Sequence, residues 1–250
     1  MAGFEKFRKA VLEAANQHYK PLMDAHRDEL GETIKNHLFE LEGPRQINRQ
    51  LNARDQYFGK MFQGFLEIQT SLETLEDIHF YIRRFPFTGT RIAPERYLQF
   101  HVETHFTEIY VLRERLDTYV TLFQRQFRKD PHLTDVQARC DALAKAIENA
   151  LHGVVLARGQ HVHKVRFSDD GIDRLASIAL LTKGPDDDLT ILMKDYYRRQ
   201  RREVKKTWSG RTKANLKAIK ELLDVFFEAL FPIAFDAQSG ALRYPNGARA

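Results

Sequence analysis

Residues 136–163 read VQARCDALAKAIENALHGVVLARGQHVH, and their spacing decides the fold class. Val136, Cys140, Leu143, Ile147, Leu151 and Val154 recur at steps of three and four, which places them on one face of an α-helix. Arg158 stands next on that stripe, where the spacing calls for Leu or Val, and Val162 and Val165 resume it. A guanidinium keeps its proton. An arginine on an apolar face therefore either reaches water at the helix edge or meets anionic or hydrogen-bonding partners in a cleft.

The same periodicity runs outward in both directions. Phe4, Phe7, Val11, Leu12 and Ala15 predict a first helix over 3–30, kinked or divided by Pro21 and ended by Gly31. A short helix to about Leu41 follows, then the break Glu42-Gly43-Pro44. Ile47, Leu51, Phe58, Phe62, Phe65, Ile68, Leu72, Leu75 and Ile78 give a long helix over 46–83, whose phenylalanines read as core rather than as a platform for stacking bases. Pro94 opens the next, to about Lys129, along Leu98, Val102, His105, Ile109, Leu112, Leu116, Val120, Phe123 and Phe127. Thr134 is the expected N-cap of the quoted helix. A shorter helix at 172–182 and two more at 186–208 and 212–231 complete the chain. The expected fold is all-α, a multi-helix up-and-down bundle of long antiparallel helices. Residues 1–235 read as one domain, with helices 1–42 a candidate appendage and 236–250 an irregular tail.

Composition narrows the function classes. Of 250 residues, 43% are hydrophobic, enough for a substantial core, and a net charge of +5 suits a polyanionic partner. Cys140 is the single cysteine, so no disulfide within the chain and no cysteine zinc site can form. A reducing, cytoplasmic location fits. The N-terminal Met-Ala-Gly-Phe-Glu-Lys-Phe-Arg is charged at once and reads as no signal peptide, and no apolar run is long enough for a membrane span. His101 and His105 share the spacing of two helical metal ligands, but Val102 occupies the place where the zinc-protease pattern needs Glu. His105 falls on the apolar stripe and is expected to face the core with a hydrogen-bond partner. No metal and no cofactor is expected.

Three Arg–His pairs have four to six residues between them: Arg96/His101, Arg125/His132 and Arg158/His163. About three arise by chance in a chain of this composition, so spacing alone selects none. Context separates them. Arg125/His132 spans Pro131 at a helix end, Arg96/His101 opens a helix, and only Arg158 interrupts a core stripe. A histidine titrating near neutrality can move protons, and a guanidinium can hold a phosphate and stabilise charge developing on its oxygens. His161, three residues from Arg158, is an auxiliary candidate, and His152 reads as structural or exposed. On a straight helix Arg158 and His163 lie about 140° apart, so they share a substrate only through a bend at Gly159 or through a second copy of the helix.

A helical bundle with Arg-x4-His late in one helix resembles the HEPN superfamily (higher eukaryotes and prokaryotes nucleotide-binding domain). The likeness covers about residues 46–231 and rests on Arg158 and His163. It implies a metal-independent endoribonuclease that uses the 2′-hydroxyl of RNA as nucleophile, in a stress, toxin or phage-defence role. It also implies a homodimer with a composite site, and an antitoxin or regulatory protein as a further partner. In that family the residue after the arginine is often polar; here it is Gly159. The alternative, a non-catalytic helical binding or regulatory module, therefore stays open. RNA contacts are expected from Arg198, Arg199, Arg201, Arg202, Lys205 and Lys206, six cations among nine residues, with Lys213, Lys217 and Lys220 extending the basic character.

Overall fold

The structure is a computed structural model that describes residues 2–25, 27, 31, 35, 39, 52–84, 92–130, 133, 135–163, 168–185 and 187–245, and leaves out the side chains of 22, 25 and 154–163. Among the described residues six helices have defined bounds: α1 Ala2–Ala25, α2 Ala53–Arg84, α3 Pro94–Phe127, α4 Val136–His163, α5 Asp170–Leu181 and α6 Asp188–Ala234. The only strand-like pairing among them is a single antiparallel bridge between Phe235 and Leu242. The fold is an all-α multi-helix bundle. Contacts divide it into two compact units: unit 1, Met1–Phe65, Tyr119–Leu143 and Leu223–Ala250; unit 2, Leu66–Thr118 and Ala144–Leu222.

Unit 1 is built on rings. Phe7 packs against Phe65, Tyr119, Phe227, Phe231 and Phe235, with ring centroids 4.6 to 6.4 Å apart. Helix directions follow from which residues meet. Phe4 and Phe7 of α1 meet Phe227 and Phe235, so α1 runs parallel to this end of α6. Phe4 meets Phe65 while His18 meets Phe58, so α1 is antiparallel to α2. The buried face of α1 is Phe4, Phe7, Val11, Ala14 and Ala15; Leu12 is exposed, because the stripe turns past it. Past α6 the chain folds back. Asp236 accepts from the Gln238 and Ser239 amides, Gly240 takes φ 69°, and Tyr244 packs on Tyr57.

Unit 2 follows the same logic with more polar pairing. Its core gathers Ile78 and Ile82 of α2, Leu98 and Val102 of α3, Ile172 of α5, and Val204 and Trp208 of α6. Arg115 of α3 pairs with the Glu67 carboxylate at 2.6 Å and reaches Ser71 and Glu108, and Ser71 donates to Glu108 at 2.7 Å. These partners descend α2 as they ascend α3, so the two helices are antiparallel. Glu95 with Tyr197 and His105 with Asn215 set α3 parallel to α6.

Caps fix several helix starts. Asn52 accepts from the Asp55 amide, Asp169 from Gly171 and Ile172, and Asp187 from Thr190. The expected N-cap Thr134 and the segment 40–51 lie outside the described residues. Along α4 the stripe Val136, Cys140, Leu143, Ile147 and Leu151 is buried, and burial pushes the Cys140 thiol up to about 11.

Besides the placing of Leu12 on the buried face, a helix boundary expected from the sequence fails. A break was expected between helices at 186–208 and 212–231, but α6 runs unbroken from Asp188 to Ala234. Gly210 costs the helix about 1 kcal/mol relative to Ala. Burial of Val204 and Ile219 on either side contributes about 1.5–3 kcal/mol each, which outweighs it. The Thr212 hydroxyl donates to the Trp208 carbonyl and so stays satisfied inside the helix.

Two glycines of α2 give opposite tests. A Cβ at Gly64 would lie 2.6 Å from the ring of fully buried Tyr119, whereas at Gly59 nothing lies within 4 Å. Gly59→Ala should raise the thermal midpoint through about 0.5–1 kcal/mol of helix propensity. Gly64→Ala should lower it, by about 1–3 kcal/mol of overpacking. Calorimetry of both variants checks the packing; a Gly64→Ala protein as stable as wild type would contradict it.

Candidate functional site

Arg158, His161 and His163 all lie in α4, which continues through Gly159 to His163 without a break. Their side chains are outside the described residues. α4 is helical across Gly159, and in an ideal helix five residues turn about 140°. Exposed His152 agrees with its reading as structural or surface.

The basic cluster is fully described and lies in unit 2, as does the stretch 144–163. Val204 is buried at its centre, which turns Arg198, Arg199, Arg202 and Lys206 outward and leaves Arg201 and Lys205 half-buried. Arg198 pairs with Asp195 at 2.9 Å, and Arg201 lies over the Tyr197 ring at 5.9 Å. No carboxylate among the described residues pairs with Arg199, Arg202, Lys205 or Lys206. Further along, Lys217 pairs with Glu221, Lys220 with Glu76, and Arg211 with Asp169 at 3.3 Å. Along the basic part of α6 the unpaired positive charge is therefore concentrated at 199–206, and only Lys213 of the expected lysine extension keeps no such partner among the described residues.

His105 is buried, as its place on the stripe predicted, and Asn215 Nδ2 donates to its Nε2 at 3.2 Å. Its proton therefore sits on Nδ1, which has no hydrogen-bond partner. Burial lowers this histidine to about 4, with nearby His79 adding to the effect. His79 Nδ1 lies 2.9 Å from Thr212 Oγ1. Because that hydroxyl's one proton goes to the Trp208 carbonyl, Nδ1 of His79 must donate. Partial burial, Arg83 and Lys213 all lower His79. Both rings are held neutral near pH 7, so they brace α2, α3 and α6 rather than shuttle protons. His101 stacks on Tyr81 at 5.2 Å, and among the described residues no group of three His, Cys, Asp or Glu could hold a metal ion.

Sequence reasoning missed a second surface of unit 2. Phe80, Tyr81 and Phe100 lie off the stripes Ile78–Ile82 and Leu98–Val102 and are exposed. The signal was present, since an aromatic ring one or two positions off a buried stripe faces water. No helix among the described residues is long and apolar enough to cross a membrane. The chain matches no family model, no curated protein and no solved structure.

The neutral histidines predict an acid-sensitive fold. An unfolded histidine titrates near 6.5, so stability is full above that value and is lost as pH falls toward 4, where His105 protonates in place. Full protonation of His105 should remove about 3 kcal/mol. Denaturant unfolding at pH 7 and pH 5 measures the part of that loss reached by pH 5, about 2 kcal/mol. In the double variant His105→Leu, Asn215→Leu the difference should shrink; an undiminished difference would place the sensitivity elsewhere.

Proposed function

We propose that this chain is an RNA-binding helical protein of HEPN-like type that cleaves RNA without a metal. The carrying observation is the outward face of α6. There Arg199, Arg202 and Lys206 stand exposed with no carboxylate partner among the described residues, in the same compact unit as the helix bearing Arg158 and His163. Unpaired cations along one helix favour the repeated phosphates of a nucleic acid over a single small anion. Salt slope reads this directly. Arg199→Gln, Arg202→Gln and Lys206→Gln together should lower the slope of log affinity against log salt by about three, one per lost phosphate contact. Arg201→Gln, whose guanidinium lies over Tyr197, should change the slope less. Equal slopes in wild type and triple variant would refute phosphate binding by this face.

In the chemical step His163 takes the proton of the 2′-hydroxyl. That oxygen attacks the adjoining phosphorus, the bond from phosphorus to the 5′-oxygen breaks, and the proton held by His163 passes to the leaving 5′-oxygen. The products are a 2′,3′-cyclic phosphate and a 5′-hydroxyl. Arg158 offsets the charge on the non-bridging oxygens, and His161 is the auxiliary proton carrier. Since an unbroken helix separates Arg158 from His163 of the same chain, the arginine of one protomer acts with the histidine of its partner in a two-fold homodimer. Mixing Arg158→Ala with His163→Ala protein under subunit exchange should restore cleavage at one of the two sites of each mixed dimer. Two inactive variants that stay inactive when mixed would refute the composite site.

The same unbroken helix favours a second reading. If no second copy docks there, Arg158 and His163 stand about 140° apart around an ideal helix, and the chain binds RNA as a regulatory module without cutting it. Wild-type protein that binds RNA and leaves it intact would select this reading.

A further inference from the structure

At the end of α2 and the start of α3, unit 2 carries a connected array of exposed rings. Phe80, Tyr81 and Phe100 are 44%, 41% and 63% exposed. Phe80 meets Tyr81 edge-on at 6.1 Å, Tyr81 stacks on His101 at 5.2 Å, and His101 meets Phe100 at 5.3 Å and Tyr97 at 4.3 Å. Each ring touches the next, and none of the three exposed rings belongs to the buried core of the unit. Arginine surrounds the array. Arg84 lies 5.2 Å and Arg83 6.0 Å from the centre of the Phe80 ring, and exposed Arg96 opens α3 one turn before Phe100. No carboxylate among the described residues pairs with Arg83, Arg84 or Arg96.

Two physical facts select the ligand. Large rings left in water at this density mark a binding surface, because burying each on a partner is favourable. A purely apolar partner would leave three guanidiniums desolvated and unpaired, at a cost that offsets the gain. The partner must therefore offer flat apolar faces and negative charge together. Single-stranded nucleic acid does both: unpaired bases stack on rings while the backbone meets arginine. A duplex keeps its base faces covered and offers only its phosphates and groove edges.

We propose that Phe80, Tyr81 and Phe100, with Arg83, Arg84 and Arg96, form a stacking platform for single-stranded RNA. This rests on the RNA-binding reading above and adds that the substrate is captured unpaired. The platform and the basic face of α6 then divide the work: the rings select strandedness, and the α6 cations supply charge without it.

Fluorescence anisotropy of the full chain with labelled oligouridylate, and with an RNA hairpin duplex of matched charge, tests the platform. Tyr81→Ala with Phe100→Ala should weaken oligouridylate binding by about tenfold or more while leaving the duplex unchanged. Phe100→Trp, which keeps a larger ring in place, should hold or raise the affinity and shows that loss in the alanine variant reflects stacking rather than misfolding. The α6 triple variant should weaken both probes at low salt, so failure of the two readings is distinguishable. Wild type that binds both RNAs, with alanine variants equally tight on oligouridylate, overturns the platform alone. Wild type that binds neither RNA overturns the platform and the RNA-binding reading together. A fall in molar mass by light scattering in the alanine variant, with RNA affinity intact, would assign the rings to a protein contact and overturn the proposal.

Discussion

Beyond the α2–α3 network around Arg115, five polar contacts of unit 2 each take one partner from α6. Tyr197 donates to Glu95, Arg211 pairs with Asp169, Thr212 accepts from His79, Asn215 donates to His105, and Lys220 pairs with Glu76. Between them Val204 and Trp208 enter the core. These contacts fall at positions 197, 211, 212, 215 and 220 of one continuous helix, so one unbroken helical register sets them all. A change of phase at Gly210 would turn the residues on one side away from partners that the other side still holds. Continuity of α6 is thus the constraint from which the histidine braces and the outward basic face both follow.

The histidines show how the fold sorts chemistry from support. His79 and His105 are held neutral by burial, neighbouring cations and committed hydrogen bonds, and a group that cannot gain a proton near pH 7 is a poor general acid. The cations are sorted in the same way. Those facing a neighbouring element, Arg115, Arg211 and Lys220, are answered by carboxylates. Others stand outward with no carboxylate partner among the described residues, among them Arg199, Arg202 and Lys206 on α6 and the arginines around the rings at the ends of α2 and α3. Phosphate binding draws on the second set, because a cation already paired must lose one partner to gain another.

Much of the architecture was legible in the sequence because it rests on long stripes. All nine positions named from Leu98 to Phe127 are buried, and so is the α4 stripe as far as Leu151. Local punctuation misled where tertiary burial outweighed it. Ser209-Gly210-Arg211 looks like a break until Trp208 and Thr212 are seen on one buried face. The exposure of Phe80 was hidden by reading the phenylalanines of the 46–83 helix as core by type rather than by phase, and Tyr81 and Phe100 drew no reading because they lie off the apolar stripes. The Arg158–His163 pair was legible only as a departure from a stripe. Spacing alone does not separate it from Arg96/His101, whose histidine stacks on Tyr81 and meets Tyr97 edge-on.

A distance along α6 tests the central constraint most directly. Spin labels on Glu203→Cys and Glu221→Cys, both exposed and both in unit 2, bracket Gly210 while native Cys140 stays buried. Eighteen residues of unbroken helix separate the backbones by about 27 Å. A single narrow distribution near that value, broadened only by the label arms, is the predicted result. A markedly shorter or bimodal distribution would mean two helices meeting at 209–211, and the shared register of the basic face and the histidine braces would fall with it.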